Sequence, residues 1–186
     1  MHYQERKSYS NRPNRNTQNP EEATDSVEAT QSPNPQSPPT GAKLRGIAFA
    51  ILARREYSEQ EFKQKLLDLD ANPEEVAELV KEFQSNQYQS DQRMAGMIVR
   101  ANVRKGRGPI RAKQTLRERS VDIELAQEDL DDTDWLALAR TLRIKKFGTE
   151  LPSDPKEKAR QLRFLQYRGF DMQTCTQAIM SHGLEE

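Results

Sequence analysis

The sequence predicts an all-α chain of three tandem three-helix repeats, and three observations carry that prediction. From Leu44 onward apolar residues recur at three- and four-residue spacing, the period of one helix face. Helix-starting residues fall in register, with Asn72, Asp122 and Asp171 each standing six positions after a leucine, Leu66, Leu116 or Leu165. No segment alternates apolar and polar residues for long enough to make a strand. A three-helix unit is too small to hide its own core well, so neighbouring units should stack into an elongated, curved array.

Residues 1–42 precede the pattern. They hold six of the ten prolines, much Asn, Gln, Ser and Thr, and almost no aliphatic residue besides Val27. Such a segment buries too little apolar area to offset its ordering entropy and is expected to be a disordered tail. Its basic residues Arg6, Lys7, Arg12 and Arg15 are followed closely by Glu21, Glu22, Asp25 and Glu28, which argues against a dedicated binding arm.

The first repeat is expected over 43–89. Leu44, Ile47, Ala48, Ile51 and Leu52 mark its first helix. Ser58 opens the second with S-E-Q-E, a capping box in which Glu61 is placed to reach back. Phe62, Leu66 and Leu69 form that helix's stripe. Asn72-Pro73 starts the third helix as N-cap and first helical residue, and Val76, Leu79, Val80 and Phe83 face inward from it.

The second repeat, 90–132, and the third, 133–182, follow the same plan. Ala71, Val121 and Phe170 immediately precede the three N-caps, and Val76, Ala126 and Cys175 stand four positions after them. These are the two halves of a hydrophobic staple, found three times at spacings of 50 and 49 residues. Met94, Met97, Ile98 and Ala101 form the first stripe of the second repeat. Trp135, Leu138, Ala139 and Leu142 form that of the third, with Trp135 assigned to repeat core. Asp154-Pro155 caps the helix carrying Ala159, Leu162 and Leu165. In all, about nine helices are expected.

Charge is segregated although the net charge is zero. Nine basic residues face one acid from Arg93 to Arg119, then seven acids and no base run from Val121 to Asp134. Between Arg140 and Arg168 nine bases meet three acids. The run G-R-G-P-I-R-A-K at 106–113 invites comparison with a nucleotide loop, but it lacks the glycine–lysine spacing and the preceding strand. Gly106 and Gly108 read instead as a helix end, and Pro109 as a helix start.

Other chemistry finds little support. His2 and His182 sit near the termini, and Cys175 occupies a staple position where a small buried side chain belongs. One cysteine forms no internal disulfide, which fits a reducing compartment. The acids Glu128, Asp129, Asp131, Asp132 and Asp134 lack the glycine-containing calcium loop. The reading is of a protein with no catalytic residue, cofactor or metal, no membrane span, and a cytoplasmic location.

What remains is the basic block. Arg100, Arg104, Lys105, Arg107, Arg111, Lys113, Arg117 and Arg119 are expected to form one positive ridge for DNA or an acidic protein surface. No aromatic residue lies between Arg93 and Arg119. Base stacking needs an aromatic platform, so the ridge is expected to meet phosphates or acidic protein side chains.

Four passages resemble the RecX family of bacterial recombination regulators. A-I-L-A-R-R-E-Y-S-E-Q-E-F-K-Q-K-L (50–66) is similar to its opening, and S-D-Q-R-M-A (90–95) to its N-D-x-x-F-A element, with Met94 in place of the aromatic. G-R-G-P-I-R-A-K-Q-T-L-R-E-R-S-V resembles its glycine and basic-helix passage, with Ser120 replacing a glycine. L-Q-Y-R-G-F (165–170) resembles the closing L-x-x-R-G-F. The resemblance spans roughly 44–182 and implies three tandem three-helix repeats. It also implies binding of the RecA recombinase within the groove of its filament on DNA. Strand exchange, ATP hydrolysis and coprotease activity would then be restrained. The chain is expected to be a monomer with RecA as partner and DNA contacted weakly or within the filament. Two other readings stand beside this one, a free-standing DNA binder with helix-turn-helix-like repeats and a helical scaffold for another protein.

Overall fold

The computed structural model describes residues 37–180. Most of the expected tail, with Arg6, Lys7, Arg12 and Arg15, lies outside them, as do His2 and His182. Nine α-helices fill the described residues: α1 (Gly41–Leu52), α2 (Glu59–Leu67), α3 (Pro73–Ser85), α4 (Asp91–Arg104), α5 (Pro109–Glu118), α6 (Gln127–Asp131), α7 (Trp135–Phe147), α8 (Pro155–Tyr167) and α9 (Met172–Met180). A single 3-10 turn, Glu124–Ala126, precedes α6. There is no strand among the described residues. Helix α1 begins at Gly41, two residues before the expected boundary, because the Thr40 carbonyl already accepts the amides of Lys43 and Leu44.

The caps form as the side chains dictate. Ser58, Asn72, Ser90, Asp134, Asp154 and Asp171 each accept an amide hydrogen bond from the first turn they precede. Asp122 accepts from Glu124 at 3.0 Å, yet the helix it opens stays short. Glu128 and Asp129 suit its first turn, but Asp131 and Asp132 stand at its C-terminal end, where the helix dipole is negative and disfavours acids.

Each repeat has its own core. Leu44, Ala48, Phe62, Leu66, Val76, Val80 and Phe83 fill the first, and Met94, Val99, Ala112, Leu116, Val121, Ala126 and Leu130 the second. Ala139, Leu165, Phe170, Cys175, Ala178 and Ile179 fill the third. The staple pairs are buried in all three. At Cys175 burial, aided by the nearby Asp171 charge, pushes the thiol up to about 11.

Three expected stripe positions face outward. Leu69 lies beyond the last residue of α2, where helical periodicity no longer sets direction. Met97 is displaced because α4 buries Met94, Ile98 and Asn102 at four-residue intervals, with Asn102 donating to the Ile98 carbonyl at 2.9 Å. Ala159 is exposed, and Gln161 takes the inward place in register with Phe62 and Ala112.

The turns after the middle helices share one conformation. Asp70, Ser120 and Gly169, each four positions past its register leucine, have φ of 58°, 53° and 90°. The amides of Val121 and Phe170 then bond back to the carbonyls of Leu116 and Leu165 at 2.9 and 3.2 Å, the closure that a left-handed residue allows. Ser120 therefore keeps the turn that a glycine would make.

The repeats are joined by different chemistry. Between the first and second, Gln89 donates to the Tyr57 carbonyl at 3.1 Å, the Glu59 amide donates to Asp91 at 2.8 Å, and Arg93 grips Glu56 at 2.6 and 3.0 Å. Glu61 does not complete its expected capping box; its carboxylate pairs with Arg119 of the second repeat and with Arg55. Between the second and third, the amides of Gly108 and Ile110 donate to the carbonyls of Arg168 and Gly169 at 2.9 and 3.0 Å. A Cβ on Gly108 would overlap the Gly169 carbonyl, and one on Gly169 would overlap Arg111. Gly106 is left-handed at φ 63° and packs on Leu142. Trp135 touches both cores and donates from Nε1 to the Leu130 carbonyl at 2.8 Å.

Candidate functional site

The eight basic residues expected to form one ridge are divided among three settings. Arg100 and Arg119 are engaged internally, Arg100 with Asp129 at 2.8 Å and Arg119 with Glu61 at 3.1 Å. Gly96 leaves the space for the first pair, since a Cβ there would press on both side chains. On α5 each residue turns by about 100°. Arg111, Gln114, Thr115 and Glu118 therefore share one face, Ala112 and Leu116 the core face, and Lys113 and Arg117 the side away from Arg111. Arg104 is exposed at the last turn of α4.

Lys105, Arg107 and Arg111 are brought together. They line a cleft of about 710 Å³ between the second and third repeats. Opposite them the third repeat supplies Lys146 from α7, Phe164 and Tyr167 from α8, and Arg168 from the turn that follows. One carboxylate, Glu118, stands among five cations.

Polar and cation–ring contacts link the walls of the cleft. Arg168 donates to the Gly106 carbonyl at 3.1 Å and lies over the Phe164 ring, 4.9 Å from its centre. Arg111 donates to Gln114 at 2.9 Å and lies 5.7 Å from the centre of the Tyr167 ring. Lys105, Arg107 and Lys146 make no ion pair among the described residues, and neither do Arg104, Lys113 and Arg117. Tyr167 is 79% exposed. The cleft can thus offer positive charge and an aromatic face to one anionic ligand.

The four residues from the third repeat were not singled out by the sequence as part of the positive surface. Their signal was present in the second basic block, Arg140–Arg168, but its members separate in the fold. Arg143 is wholly buried, donating to the carbonyls of Glu150 and Thr149 at 3.0 and 3.4 Å. Burial holds its guanidinium below the usual arginine range. It fastens the α7–α8 loop and is not part of the cleft.

Comparison with known proteins gives this arrangement its context. Models of the second and third three-helix domains of RecX match residues 90–130 and 132–179. The regulatory protein RecX of Acinetobacter baylyi is 47% identical over 147 residues, covering 79% of this chain and 91% of the relative. The chain belongs to the RecX family. The regulatory protein RecX of Halorhodospira halophila is 39% identical over 68% of this chain and 80% of the relative. The crystal structure of RecX from Lactobacillus salivarius superposes with a TM-score of 0.65 at 20% identity, covering 74% of this chain and 93% of that one. The cleft lies between the two units that the RecX domain models match, and both of its walls fall inside them.

Proposed function

We propose that this RecX-family regulator acts on the RecA recombinase, binding its filament on DNA and restraining ATP hydrolysis, strand exchange and coprotease activity without catalysing a reaction itself. It works in the cytoplasm as a monomer. The observation that carries the reading is the cluster of cations without acidic partners, Lys105, Arg107 and Lys146, at the joint of the second and third repeats. Desolvated contacts to phosphates or acidic side chains need such free charge. Arg104, Lys113 and Arg117 extend the positive surface on other sides of α4 and α5. Arg100 and Arg119 support the fold, being engaged by Asp129 and Glu61. Asp131, Asp132 and Asp134 oppose basic filament surfaces. Binding across neighbouring RecA protomers hinders growth of the filament or access of a second DNA strand.

The test is a titration of the protein into RecA hydrolysing ATP on DNA. Falling hydrolysis is expected, with a weaker effect from the Lys105→Ala/Arg107→Ala variant. Unchanged hydrolysis at saturating, independently confirmed binding would overturn the inhibitory mechanism.

A further inference from the structure

The exposed ring of Tyr167 is not explained by the fold. It contributes to no core, and Arg111 is the side chain recorded against its face. Charge alone would suit an acidic peptide or a duplex as well as a single strand. The ring separates these ligands. An acidic peptide needs only the cations, and a duplex keeps its bases stacked on one another, so neither uses a bare aromatic face. An unpaired base does use one. The absence of aromatic residues within 93–119, which argued against base stacking from sequence, is made good by the fold: α8 brings Tyr167 and Phe164 against the basic turn.

We propose that the cleft between the second and third repeats is a single-stranded nucleic-acid subsite, in which a base stacks on Tyr167 and the flanking phosphates are held by Lys105, Arg107 and Lys146. Arg111 and Arg168 position the two rings and complete the positive wall. Glu118 at the rim disfavours phosphate there and sets the limit of the track. The inference rests on the proposed function only in taking this cleft as part of the partner surface; it requires no RecA.

The experiment uses the full chain without RecA and a fluorescent oligothymidylate of about ten nucleotides, within the span of known single-strand sites. An abasic oligonucleotide of equal length and a duplex serve as the other probes. Tyr167→Ala is expected to weaken oligothymidylate binding by about tenfold, Tyr167→Phe to restore it, and neither to alter abasic binding. Lys105→Ala/Arg107→Ala should weaken both single strands and reduce the logarithmic salt slope by about 1.4, at about 0.7 per phosphate contact. Equal thermal melting of the variants separates these effects from unfolding. Three outcomes overturn the subsite: no oligothymidylate binding at low salt, no effect of Tyr167→Ala, or duplex preferred over single strand. If Tyr167→Ala spares oligonucleotide binding but reduces inhibition of RecA, the cleft meets protein. The stacking inference then fails while the proposed function stands.

Discussion

Ser120 holds a left-handed conformation, φ 53°, at the position where the third repeat has Gly169 at 90°. A non-glycine residue there suffers contact between its Cβ and the following carbonyl, a cost of about 1–2 kcal/mol. Glycine removes it but gains unfolded-state freedom of about 0.5–1 kcal/mol. Ser120→Gly should therefore stabilise the protein by about 0.5–1 kcal/mol, read as a higher urea midpoint at unchanged slope. A loss of stability would show that the Ser120 side chain contributes more than its exposed position indicates. The register of the flanking leucines and N-caps was legible in the sequence, because they recur at fixed offsets, but the left-handed turn at Asp70 was not, since nothing in that residue type requires it. The internal engagement of Arg119 was not. Its partner Glu61 lies 58 residues away and was assigned to its own helix's cap.

Among the elements, α9 depends strongly on its cap, because it is only nine residues long and closes the third core. Asp171 receives the Thr174 amide at 2.8 Å and the Thr174 hydroxyl at 2.7 Å. Burial pushes its carboxyl up, but these bonds, with the Gln173 amide, outweigh burial and hold it below the usual aspartate range. The folded value being the lower one, the stabilisation is complete above the unfolded pKa of about 3.9 and is lost as pH falls through the folded value. Asp171→Ala should cost about 1 kcal/mol at pH 7. Urea titrations of variant and parent should converge as pH is lowered beneath 4. A difference that persisted in acid would assign the loss to packing and not to the charged cap. Helix positions were readable because caps and periodicity act locally. The short α6 and the inward Gln161 were not, since acid crowding and core register act across the turn or the repeat.

At the scale of the three repeats, the two joints differ in kind, and the difference sets how they respond to salt. The first–second joint depends on partly exposed ion pairs, Arg93 with Glu56 and Arg119 with Glu61, around the Glu59–Asp91 hydrogen bond. Such pairs contribute about 0–1 kcal/mol each and weaken as salt screens them. The second–third joint is backbone to backbone, with Gly108 and Ile110 bonded to Arg168 and Gly169, and Trp135 packed on both cores. Neutral amide bonds and apolar contact are not screened. The cleft is built across this second joint, so the spacing of its cations and Tyr167 does not rest on the ion pairs of the first joint. Hydrogen exchange should report this directly, because local opening exposes each amide separately. Raising sodium chloride to about 1 M, where the screening length is near 3 Å, should speed exchange of the Glu59 amide. Exchange at Gly108 and Ile110 should stay constant. Equal acceleration at all three amides would mean that the repeats open as one unit and that the cleft is no more rigid than the joint beside it.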